Sequence, residues 1–114
     1  MDLRSAELTK YTANLFNAAK ISFFNELEQV CLVVGADPRA VFAAAVKGAE
    51  GLWNALYGTR GLAPYDGACL PKDTTGFLGW ASERGLDDSL LVLRATIAAN
   101  ERLAELLAVR AEAS

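Results

Sequence analysis

Apolar residues recur along the first third of the chain at three- and four-residue steps: Leu8, Tyr11, Leu15, Ala19, Phe23, Leu27, Val30 and Val34. That spacing keeps them on one face of an α-helix and predicts one long element. Ser5 is the expected N-cap, and Gly35 sits where a C-terminal glycine belongs. Asp37-Pro38 then restarts a helix, with Asp as cap and Pro at the first position, running to about Lys47. The apolar segment Leu52 to Tyr57 predicts one or two further turns. Residues 58 to 71 break the pattern, since Gly58, Gly61, Pro64, Gly67 and Pro71 crowd into an ordered loop. A third helix is expected over Asp73 to Glu83, ending before Gly85. Asp87 or Asp88 should cap the last helix, whose stripe is Leu90, Leu91, Leu93, Ile97, Leu103, Leu106 and Leu107.

Alternating Val/Ile/Thr runs and hairpin turn pairs are missing, so no strand is predicted. The expected fold is all-α: one domain over residues 1–114, with two long helices bracketing shorter ones and a Gly/Pro-rich loop. The long stripes exceed what two short helices can cover, and a second copy commonly buries such a surplus. A homodimer is the expectation.

Composition narrows the chemistry. The chain has 114 residues, no histidine, two cysteines and a net charge of −3. Missing histidine excludes Ser-His-Asp and Cys-His catalysis and any histidine-ligated metal. The acidic balance excludes the basic stripe that binds nucleic acid. Two cysteines, Cys31 and Cys69, make no zinc cluster. Neither a signal peptide nor an apolar run of membrane-spanning length is visible, and a soluble, cytoplasmic chain with free thiols is expected.

One loop holds candidate chemistry. It ends in Pro64-Tyr65-Asp66-Gly67-Ala68-Cys69-Leu70-Pro71-Lys72-Asp73. A cysteine on a glycine-bearing turn before a helix is placed like a nucleophile, because helix amides and the Lys72 ammonium favour the thiolate. Most free cysteines are small buried hydrophobes instead, and that reading stands beside the first. Lys10 and Asn14, four apart, leave one face of the first helix and can serve one polar site. An ordinary solvated Lys and Asn is the plain alternative.

Three ordered stretches carry a family likeness. Gly67-Ala68-Cys69-Leu70-Pro71-Lys72-Asp73 resembles the Gly-Gly-Ser-Cys-Phe/Leu-Pro-Lys-Asp motif of the UDP-glucose/GDP-mannose dehydrogenase family. Ala6-Glu7-Leu8-Thr9-Lys10-Tyr11-Thr12-Ala13-Asn14, continued by Ile21 to Glu26, resembles that family's Ala-Glu-x-x-Lys-x-x-x-Asn helix. Asn100-Glu101 resembles a recurring Asn-Glu near the end of its central domain.

The resemblance implies an NAD-dependent oxidation of a nucleotide sugar's 6-alcohol to a carboxylate. By similarity Cys69 would form a thiohemiacetal and then a thioester. Lys10 and Asn14 would stabilise the oxyanion and hold the water, and Asp73 would act with Lys10 in proton transfer. Lys72 would sit near the cofactor. Tyr57, Arg60, Tyr65 and Gly67 would contact the nucleotide sugar, either a UDP-sugar or GDP-mannose. Lys10-Tyr11 and Phe23-Phe24-Asn25-Glu26 lean towards the mannose type. Two departures stand out: Pro64 and Asp66 occupy places where the family's turn carries glycine. The strand–Gly-x-Gly-x-x-Gly–helix unit of the NAD-binding domain is not in these residues, so the chain alone is expected to be inactive. The competing reading is a helical dimerisation module without catalysis.

Overall fold

The computed structural model describes residues 1–59 and 63–113. Among these residues five α-helices follow in order: α1 (Leu3–Val34), α2 (Pro38–Gly48), α3 (Glu50–Trp53), α4 (Cys69–Ser82) and α5 (Leu91–Ala113). A 3₁₀ turn, Asp87–Ser89, precedes α5. Among the described residues there is no strand. The all-α architecture with two long outer helices is the expected one.

Several boundaries differ from those expected. Asp2, not Ser5, caps α1: its carboxylate accepts the Ser5 backbone N–H at 2.8 Å. That hydrogen bond holds the Asp2 carboxyl below its ordinary pKa. Helix α3 is a single turn that starts at Glu50 and stops at Trp53, because Asn54 leaves helical geometry and its side chain accepts the Leu56 N–H. Helix α4 begins four residues earlier than expected, at Cys69. Pro71 is therefore its third residue, where the missing N–H costs nothing because first-turn amides have no intrahelical acceptor. Other signals hold as expected. Gly35 ends α1 at φ 77°, and Asp37 caps α2 by accepting the Arg39 N–H at 3.0 Å.

The core is small and lies at one end. Val30, Ala81, Leu86 and Leu90 are buried together, with Leu27, Phe77, Leu78, Trp80 and Leu93 packed against them. Phe24 joins α1 to α2 through an edge-on contact with Phe42, centroids 4.9 Å apart. Helix α1 contributes only its C-terminal half. Its 32 residues span about 48 Å at 1.5 Å per residue, matching the 49 Å long axis of the whole molecule. The radius of gyration is 16.5 Å, against about 13 Å for a compact chain of this size. The excess comes from the bare N-terminal half of α1, where Leu8, Tyr11, Leu15 and Phe16 all lie exposed.

Neither aspartate expected to cap α5 does so. Asp87 and Asp88 lie inside the 3₁₀ turn, and the cap comes from α1. One oxygen of the Glu26 carboxylate accepts the Val92 N–H, and the other accepts the Leu93 N–H at 3.3 Å. Glu26 is buried and polar, the one such residue among those described. A buried carboxylate needs donors, and the free amides of a helix N-terminus supply them.

Candidate functional site

The site is built around the start of α4. Cys69 is the first residue of that helix and is exposed, while Cys31 is buried. Gly67, two residues earlier, holds φ 84°. No atom lies within 4 Å of where a Cβ would stand, so the turn's backbone conformation rather than crowding calls for glycine here. Ala68 offers no side-chain cap, which leaves the first α4 amides free beside the sulfur.

The approach to the cysteine is tied to α5. The Asn100 side chain accepts the Tyr65 N–H at 2.8 Å and donates to the Tyr65 carbonyl at 3.0 Å. The Tyr65 hydroxyl then lies 3.5 Å from Thr74 Oγ1 on α4, a long contact rather than a full hydrogen bond. Tyr57 and Tyr65 line one open hollow of about 630 Å³ with Leu70, Thr96 and Asn100. Two of the four residues expected to contact the sugar thus share a cavity beside the first turn of α4.

Lys72 and Asp73 form an ion pair at 3.5 Å, with side chains 73% and 68% exposed. Such a pair adds little stability. Asp73 also borders a small hollow of about 250 Å³ with Phe23, Leu27 and Phe77. Lys10 and Asn14 share an exposed face of α1 as their spacing predicts, and among the described residues neither side chain has a partner. Lys10 stands thirteen residues before Phe23, about 20 Å along the helix axis, so the single chain does not bring it to Asp73. Arg60 lies outside the described residues.

Two polar residues that organise this region, Asn100 and Glu26, enter the reading of the sequence only within family-like stretches, which give neither of them a structural role. Among the described residues, no group of three His, Cys, Asp or Glu is placed to hold a metal, and no helix is long and apolar enough to cross a membrane.

A profile of the UDP-glucose/GDP-mannose dehydrogenase family, central domain, matches residues 4–102. The chain belongs to this family. It is similar to a UDP-glucose 6-dehydrogenase of Pseudomonas aeruginosa, 37% identical over 94% of this chain and 22% of that protein. A UDP-glucose 6-dehydrogenase of Bacillus subtilis is 41% identical over 79% of this chain and 20% of its own length. A GDP-mannose 6-dehydrogenase of Pseudomonas aeruginosa is 34% identical over 75% of this chain and 20% of its length. The chain thus spans about a fifth of these relatives. No solved structure gives a significant match.

Proposed function

We propose that this central domain supplies the cysteine nucleophile of a nucleotide-sugar 6-dehydrogenase. The observation that carries the reading is the exposed Cys69 at an uncapped helix N-terminus, inside the motif through which the chain resembles the family.

The thiolate adds to the C6 aldehyde: an S–C bond forms, the carbonyl electron pair moves to oxygen, and a proton from an acid makes the thiohemiacetal. Lys10 and Asn14 stabilise that oxygen and hold the water. After oxidation the water attacks the thioester carbonyl: the O–C bond forms as Asp73, acting with Lys10, takes one proton. The C–S bond then breaks with sulfur leaving as thiolate, and the resulting acid loses the second proton to solvent as the carboxylate is released. Tyr57, Tyr65, Gly67 and Arg60 hold the sugar. NAD is the oxidant that the resemblance implies, with Lys72 beside it. This chain does not fit NAD by itself: Lys72 is an exposed lysine paired to Asp73, and the described residues include no strand to build a dinucleotide cradle. No step through NAD is derived from these residues.

The separation of Lys10 from Asp73 supports a site completed only in the intact enzyme, and inactivity of the chain alone follows. Relatives of both substrate types match, and a nucleotide sugar of either kind is the proposed substrate. Exposed Leu8, Tyr11, Leu15 and Phe16 support a homodimer through α1. Light scattering at micromolar concentration should give twice the 12.2 kDa chain mass. A particle of single-chain mass would remove the dimer.

Alkylation of Cys69 tests the reading. Cys31 is a poor reference because it is buried, so the comparison is an unfolded peptide of residues 65–73. In the folded chain, iodoacetamide should react with the exposed Cys69 faster than with that peptide. In an intact enzyme carrying this segment, Cys69→Ala should lower kcat by roughly 10³-fold or more. A peptide-like rate together with undiminished turnover would leave a dimerisation module without catalysis.

A further inference from the structure

We propose that Asn100 is a positioning residue for Cys69, acting through the backbone of Tyr65; this rests on the reading of Cys69 as the nucleophile. The first turn of α4 lacks what normally fixes a helix start. Ala68 makes no side-chain cap, and Thr74 turns its hydroxyl back onto the Leu70 carbonyl at 2.8 Å. Local contacts therefore leave the turn that carries the sulfur free to fray.

A clamp from α5 takes their place. The carboxamide of Asn100 meets both backbone groups of Tyr65, one as acceptor at 2.8 Å and one as donor at 3.0 Å. This two-point pairing fixes the orientation of the peptide as well as its position, which a single bond would not do. Only Asp66, Gly67 and Ala68 separate Tyr65 from Cys69, and Gly67 is set at φ 84°. Releasing Tyr65 therefore frees the whole turn before the sulfur. The long contact from Tyr65 to Thr74 ties the same residue to the second turn of α4. Asn100 is half-buried and thirty-five residues away in sequence, and it lies outside the buried core cluster. Its interactions serve the loop and not the packing of the helices.

The test uses the 114-residue chain with Asn100→Ala and Asn100→Leu. Alanine is the best helix former, and leucine keeps the bulk without making either bond. Peptide mass spectrometry reads two quantities: amide exchange across residues 63–68, and the rate of Cys69 alkylation relative to the unfolded peptide of residues 65–73. Both variants should exchange the loop amides about fivefold faster or more, as expected for the loss of hydrogen bonds worth about 1 kcal/mol each. Both should alkylate Cys69 about threefold more slowly at pH 7, at a rate moved towards that of the unfolded peptide. Far-UV circular dichroism should stay at the wild-type level. Variant rates equal to a wild-type rate that exceeds the peptide's overturn the positioning role, whatever the loop does. Wild-type behaviour in Asn100→Leu alone would assign the effect to packing and equally overturn it. A wild-type rate already matching the peptide sinks the nucleophile reading, and this inference with it.

Discussion

Leu90→Ala is expected to destabilise the fold by about 3–5 kcal/mol, the cost of truncating a fully buried leucine whose surroundings cannot close the cavity. Leu90 is fully buried and is the largest side chain of which this is true among the described residues. It sits where three elements converge, against Val30 of α1, Ala81 of α4 and the Leu86 turn. With so few buried side chains, no second cluster can absorb the loss. Domains of this size have stabilities of only about 5–15 kcal/mol, so the variant would keep a small margin. Urea unfolding at fixed protein concentration should show a lowered midpoint with an unchanged slope. Leu91→Ala is the control: Leu91 is 65% exposed and should change stability by less than about 0.5 kcal/mol. A Leu90→Ala midpoint as close to wild type as the control's would mean that the core lies elsewhere.

Local chemistry was the legible part of this fold. Gly35 and Asp37-Pro38 mark a helix end and a helix start, and the structure uses them as such. Each signal acts within one turn of itself, so a single stretch of sequence contains the whole cause. The misread boundaries share another origin. Pro71 looked like a loop residue because proline breaks helix interiors, yet in a first turn it removes an amide with no partner to lose. Asp87 and Asp88 looked like caps because aspartates before an apolar run usually are. A carboxylate sixty-six residues away from Val92 took that function, and no local window could contain it.

The site divides in the same way. Cys69, Lys72 and Asp73 lie within one helical turn, and their motif placed them together before any fold was known. The hollow shared by Tyr57 and Tyr65 depends on how the turn after α3 faces α5. The distance between Lys10 and Asp73 depends on how much of α1 the small core covers, which periodicity does not state. A stripe of constant pattern runs the length of α1, but only its second half meets the other helices.

Glu26→Ala is the second large effect, expected at about 2–4 kcal/mol. Two contributions set that range. Loss of an N-cap costs about 0.5–2 kcal/mol, and hydrogen bonds to a charged group contribute about 1.5–3 kcal/mol. Here both belong to one side chain, because the Glu26 carboxylate bridges the second and third amides of α5 from the opposite helix. Removing it strands two donors in the partly buried joint between α1 and α5. Glu26→Gln separates the contributions. The amide keeps one acceptor oxygen but presents an NH₂ to the remaining N–H, so the loss should be about 1–2 kcal/mol. The order wild type, Gln, Ala should appear in urea midpoints. Amide exchange at Val92 and Leu93 should quicken before that of the α1 core residue Val30. Wild-type stability in Glu26→Gln beside a destabilised Glu26→Ala would show that the side chain's volume matters and its hydrogen bonds do not. Alanine within about 0.5 kcal/mol of wild type would mean that α5 starts without its cap from α1.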